Sequence, residues 1–269
     1  PQSATAYTAL SYAEQGRFNL EKAQTAADKA VQLAPQDAMA LARKAELQLS
    51  QGLIDESEKT IQQAISLDAN LEHTQTVKGF SHLLSMDTDE AMQAFEKAIT
   101  LDSITPLARL GLGLAKIRDG DLEAGRNELE IAANLDPNNS LIRSYLGKAY
   151  YEENRSDRAE EQFKLAKERD PKDPTPYFYD AIKNQTINKP VEALEDLQKA
   201  TKFNNNRAVY RSKLSLDKDA AMRQVGLGRI FTNLGFDDPA ARQAMLSLAL
   251  DPSNYSAHRL LADNYASQP

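Results

Sequence analysis

Leu146-Gly147-Lys148-Ala149-Tyr150, followed by Ala159, Phe163, Ala166 and Pro171, decides the fold of this chain. The spacing places Leu146 and Tyr150 on one helix and Ala159, Phe163 and Ala166 on a second. Gaps of three and four residues keep each set on a single helical face. Gly147 and Ala159 are small enough to let the two helices approach closely, and Phe163 fills the space beside them. Pro171 cannot continue a helix, so it closes the unit. A lone hairpin of this kind cannot bury its apolar face, so it needs neighbours.

The neighbours are present. The position of Pro171 recurs every 34 residues, at Pro35, Ala69, Ser103, Pro137, Pro171 and Asn205. A fixed period of this length is the sign of a stacked helix-turn-helix array. The second unit carries Ala45, Gly52, Ile61 and Ala64; the third carries Gly79, Ala91, Phe95 and Ala98. The fourth has Leu112-Gly113, Gly120, Leu129, Ala132 and Pro137, and the sixth has Ala181, Ala193, Leu197 and Ala200. The first unit, read on Ala9, Tyr12, Gly16, Ala23, Ala27, Ala30 and Pro35, carries two extra residues between its helices. Beyond Asn205 the phase breaks. The next register, Leu227-Gly228, Phe231, Gly235, Ala240, Ala244 and Pro252, lies 47 residues on rather than 34. The expected organisation is therefore six repeats over 1–205, an insertion or linker over 206–220, a seventh repeat over 221–254, and a terminal helix, half repeat or cap, over 255–269. The chain starts on Pro and stops inside a repeat, so it is read as a piece of a longer protein.

These spaced residues resemble the tetratricopeptide repeat (TPR) signature over nearly the whole length. The resemblance implies an all-α, right-handed α-solenoid with no enzymatic role. It also implies that the first helix of each pair lines a concave surface where a peptide or protein segment binds. A Lys-Asn clamp for a terminal carboxylate, known in some members, is missing: the corresponding positions read Ala42 and Glu46, Thr76 and Phe80, Leu110 and Leu114, Ser144 and Lys148. Residues 177–182, 206–212, 234–236 and 255–259 further resemble a group of bacterial cell-envelope TPR proteins. In that group the repeats precede an outer-membrane β-barrel, often behind a FecR-type domain. That resemblance implies a periplasmic or envelope setting in assembly or transport; without it, a cytoplasmic setting stands equally. The alternative role is a structural spacer or self-association module ahead of such a barrel.

Counting along the repeat frames, the candidate groove residues are Phe80, Leu84, Leu110, Leu114, Ile117, Lys148, Tyr151, Phe178, Ile182, Arg229 and Arg259. The run from Phe80 to Ile117 is apolar where a water-filled groove would be polar, so either a partner covers it or the chain's own helices do. The insertion offers a second candidate, with Arg207, Arg211 and Lys213 around Tyr210. Clustered arginine beside an aromatic suits a carboxylate-bearing group. The plainer reading is that Tyr210, Leu214 and Leu216 dock on the array while the charges stay solvated, and the alternation of Tyr210, Ser212, Leu214 and Leu216 permits a short extended segment.

Other chemistry finds no foothold. Net charge is −7 with both signs dispersed, leaving no basic stripe for nucleic acid. Cysteine is absent, which excludes disulfides and thiolate metal sites. No run approaches the roughly 18 apolar residues of a membrane span, and no signal peptide is evident. The three histidines, His73, His82 and His258, form no metal-binding motif. His73 and His82 lie nine residues apart, about 900° of helical rotation, so they point to opposite faces. Gly111-Leu112-Gly113 and Gly226-Leu227-Gly228 follow no strand and lack a third glycine, so helix packing explains them better than a nucleotide loop. No metal and no cofactor is expected.

Overall fold

A computed structural model of the chain describes residues 3–17, 19–203 and 216–266, with side chains in the last span from 221 onward. Among the described residues there are fifteen α-helices and no strand. They run as pairs: α1 (Ala4–Gly16) with α2 (Leu20–Leu33), α3 (Ala38–Ser50) with α4 (Ile54–Leu67), and α5 (Glu72–Ser85) with α6 (Thr88–Leu101). Then come α7 (Pro106–Asp119) with α8 (Leu122–Leu135), α9 (Ser140–Glu152) with α10 (Ser156–Arg169), and α11 (Pro174–Thr186) with α12 (Pro190–Lys202). The remainder is α13 (Leu216–Asn233), α14 (Asp237–Leu250) and α15 (Tyr255–Ala266). Each pair packs together, giving an all-α solenoid of helix-turn-helix repeats. The chain divides into two compact units, the first holding α1 to α8 and the second α9 to α15.

Local chemistry sets the helix boundaries. Asp37 caps α3 by accepting from the Met39 and Ala40 amides at 2.9 and 3.2 Å. Asp121, Asn139 and Asp173 cap α8, α9 and α11 in the same way. Pro106, Pro174 and Pro190 open their helices, where the missing amide costs nothing. The second helices α10 and α14 end on a residue in extended conformation, Asp170 and Asp251, and Pro171 and Pro252 follow. A residue before proline is driven to that conformation by steric clash, so the stop is encoded twice.

First helices begin at Ala4, Ala38, Glu72, Pro106, Ser140 and Pro174, and second helices at Leu20, Ile54, Thr88, Leu122, Ser156 and Pro190, all 34 residues apart. The two extra residues expected in the first unit are therefore not there. Ala9 and Tyr12 suggested a shifted register, but it is Ser11, fully buried, that takes the small-residue place held by Ala45 and Gly79 in the next two repeats. The insertion assigned to 206–220 is also shorter than expected, since its last five residues belong to α13. Leu216 opens a helix rather than extending a strand-like segment. Arg207, Tyr210, Arg211 and Lys213 lie outside the described residues.

Phe95 of α6 organises the core of the first unit and is fully buried. A Cβ on Gly79 would stand 2.6 Å from its ring, and one on Gly111 only 2.2 Å. The Phe80 ring meets it edge-on, centroids 5.0 Å apart at 77°. Leu49, Ile61, Val77, Leu83 and Leu112 complete this cluster. In the second unit Phe163, also fully buried, lies against Gly147, while Tyr177, Leu197, Leu227 and Ile230 form the next cluster and Val225, Ala244, Ala257 and Leu260 the last.

Candidate functional site: the first-helix faces

In the first unit most of the expected apolar wall is already covered. Phe80 and Leu110 are 3% and 0% exposed, so neither has surface to offer a partner. Their assignment to the groove is corrected: the large side chains fold back into the core instead of projecting. Ile117 turns toward Gly125 of α8, the other helix of its own pair. Leu84 and Leu114 are half-buried and pack on the edge of the Phe95 cluster.

The same face carries a polar cluster that the motif reading missed. Arg43 of α3 is fully buried. Its Nε donates to Ser11 Oγ at 2.9 Å, one terminal nitrogen to Glu46 at 2.9 Å, and the other to the Ser11 carbonyl at 3.2 Å. The guanidinium also lies 3.9 Å from the centre of the Tyr12 ring. The Tyr12 hydroxyl donates to Glu46 at 3.2 Å and meets His73 Nε2 at 3.0 Å, while His73 Nε2 lies 3.4 Å from the Glu46 carboxylate. Burial pushes the Tyr12 phenol well above its ordinary range, and the neighbouring Glu46 charge adds to that. Burial alone would raise the Glu46 carboxyl, but His73 and then Arg43 hold it down at about 2. Burial likewise opposes the charged form of His73, yet Glu46 and then Glu72 bring its pKa above the ordinary 6.5. Three successive first helices thus meet at one ionic centre. The available cue was Tyr12 and Glu46 standing 34 residues apart, in the same place of successive repeats, with Arg43 one turn before Glu46.

The second unit presents a more exposed and aromatic face. Tyr151 of α9 shares a hydrogen bond with Thr186 of α11 at 2.6 Å. Lys148 pairs with Glu152 one turn on and stands 5.9 Å from the Tyr179 ring. Tyr179 contacts Tyr145 and Phe178, with centroids 5.7 and 5.5 Å away, and the Arg223 guanidinium covers Phe178 at 4.7 Å. Ile182, one turn after Phe178 on α11, is 37% exposed. The structure thus brings Lys148, Tyr151, Phe178 and Ile182 onto neighbouring helices, α9 against α11. Arg229 is exposed on α13, and Arg259 on α15 makes only a long, solvated pair with Asp263 at 3.7 Å.

Behind that face lies a second charged cluster. Lys167 of α10 bridges Asp180 of α11 and Asp196 of α12 at 2.7 and 2.9 Å, and Lys183 pairs with Asp180 at 2.8 Å. Burial raises the Asp196 carboxyl, partly offset by Lys167, while the two carboxylates raise Lys167 against its own burial. These contacts tie the fifth repeat to the sixth and use up their charges internally.

Sequence comparison agrees with this architecture. Two models of the tetratricopeptide repeat match, one over residues 8–72 and 110–174 and the other over 78–105. Together they cover more than half of the chain, and the chain belongs to the tetratricopeptide repeat family. No curated protein matches it. Among solved structures it is similar to the APC/C hetero-tetramer Cut9–Hcn1, with a TM-score of 0.79 and 17% identity over 95% of this chain. The match spans about half, 48%, of that protein's chain. A tetratricopeptide repeat protein from Parabacteroides merdae aligns with a TM-score of 0.62 and 16% identity over 98% of this chain and 100% of its own. A thermophilic TPR protein from Thermus thermophilus aligns at 0.58 and 20% identity, over 73% and 100%. At these identities the likeness establishes the fold.

Proposed function

We propose that this chain is a non-enzymatic interaction scaffold that holds a peptide or protein segment on the first-helix face of α9 and α11. One observation carries the reading: Ile182 stands exposed at 37% on α11, one turn from Phe178 and one turn from Thr186, the hydrogen-bond partner of Tyr151, and the aromatic side chains here are fixed by their neighbours. Rigid aromatics with an exposed aliphatic neighbour supply contact area at little ordering cost. Within the first unit, taken by itself, Leu84 and Leu114 are the half-buried candidates, while in the second unit Arg229 and Arg259 are exposed on α13 and α15. The resemblance of the last hundred residues to envelope proteins supports a role in a bacterial envelope assembly. Among the described residues no helix is long and apolar enough to cross a membrane.

Ile182→Asp combined with Tyr151→Ala is expected to weaken partner retention by about tenfold or more, the loss of one interface anchor. Circular dichroism should be unchanged, because neither side chain is a core residue. Retention equal to the parent protein's would remove the face from consideration.

A second reading, self-association, has its own observation. Met245 and Leu246 of α14 are 50% and 47% exposed. The place of Met245 is held in the six earlier second helices by Asp28, Gln62, Glu96, Glu130, Lys164 and Gln198. Six polar residues and one methionine mark the outer face of α14 as different. If copies pair through it, light scattering shows mass rising with concentration, and Leu246→Asp restores the monomer; a parent protein that stays monomeric at high concentration excludes this reading.

A further inference from the structure

We propose that Tyr12, Arg43, Glu46 and His73 form a pH-sensitive joint between the first three repeats, tight when His73 is protonated and slack when it is not. The geometry places one ionisable ring where three helices converge. His73 of α5 reaches Glu46 of α3 at 3.4 Å and Tyr12 of α1 at 3.0 Å. The side chains of Glu46 and His73 are only 5% and 15% exposed, so the charge on the ring is poorly screened by water. Tyr12 lies over the cluster at 40% exposure, its ring edge-on to the imidazole with centroids 6.4 Å apart.

The attachment of α1 explains why such a joint has leverage. The residues α1 buries are Thr8 and Ser11, both polar. It brings no buried aliphatic side chain to α3, in contrast to α5 with Val77, Phe80 and Leu83. Besides its packing on α2, the direct hold of α1 on α3 and α5 runs through the Arg43 bonds to Ser11 and through Tyr12 spanning Glu46 and His73. The charged groups acting on His73 are Glu46 and Arg43 from α3 and Glu72 on its own helix; α4, α6 and α7 contribute none among them. Glu72 is itself held by Thr76 and Thr105 at 2.6 and 2.8 Å.

The direction in pH follows from linkage. His73 titrates above 6.5 in the folded chain, so its contribution is complete below pH 6.5 and disappears as the pH rises through the folded value. Glu46, held at about 2, acts at the other end: its contribution is present above the ordinary 4.5 and is lost as the pH falls toward 2. Both are in full force between pH 4.5 and 6.5. Above that window the joint slackens by loss of one proton.

Hydrogen exchange with mass spectrometry on the intact chain at pH 6 and pH 8.5, corrected for intrinsic base catalysis, tests this. Opening of α1 and α3 should increase about tenfold for each unit by which the folded His73 pKa exceeds the ordinary value. His73→Gln should abolish the difference, and His82→Gln, outside the cluster, should keep it. Should His73→Gln fail to fold, the imidazole titration followed by NMR in the parent chain decides, with a midpoint above 6.5 supporting the joint. Flat corrected exchange across pH, a dependence that survives His73→Gln, or a midpoint at or below 6.5 overturns it.

Discussion

Phe95→Ala is expected to cost about 3–5 kcal/mol, the range for removing a fully buried aromatic from a core that collapses poorly. The site collapses poorly because its walls are two glycines. Gly79 and Gly111 have no side chains to lean into the space, and Phe80 loses the ring it meets edge-on at 5.0 Å. The same geometry predicts that Gly111→Val is also destabilising, since its Cβ would stand only 2.2 Å from the Phe95 ring. In an array each repeat contacts only its neighbours, so the damage should stay local. Urea unfolding gives the size of the loss, and hydrogen exchange its place, in α5, α6 and α7. Exchange that accelerates equally in α14 and α15 would show the array to be globally cooperative instead.

The second large effect concerns Arg43 and Glu46. Removing Glu46 by mutation to Ala leaves a guanidinium with no exposure and no counter-charge, at about 3–5 kcal/mol, whereas Arg43→Ala is expected to cost less, because His73 still faces the Glu46 carboxylate. Replacing both, Arg43→Met with Glu46→Leu, should cost far less than the sum, since neither charge is then stranded. A double-mutant cycle by urea denaturation measures this directly. Additive losses would mean that the ion pair is energetically idle and that packing around Ser11 and Tyr12 holds α1 in place.

Much of the scaffold was legible because its rules are local. The Gly147–Phe163 pairing, the proline stops and the 34-residue pitch follow from size and backbone sterics within one repeat, and the helices lie where that pitch put them. The first repeat was misread because Ala9, Tyr12 and Gly16 imitate the pattern, while a serine occupies the position normally held by alanine or glycine. Direction was harder to read than position. Phe80 and Leu110 sit on first helices, yet whether a large side chain projects or folds back depends on the neighbouring helix, and Phe80 folds back onto the edge of Phe95 from α6. The ionic centre was hardest of all, since its members come from three repeats and no short motif contains them.

The polar centre also restricts how this array can lengthen or shorten. Deleting residues 38–71 would preserve the pitch and bring α1 directly onto α5, but Tyr12 would then face Phe80, and His73 would have no carboxylate partner from the preceding unit. Duplication of the same segment would separate Tyr12 from His73 by one further repeat. Backbone geometry permits any number of copies here; the side-chain chemistry permits one.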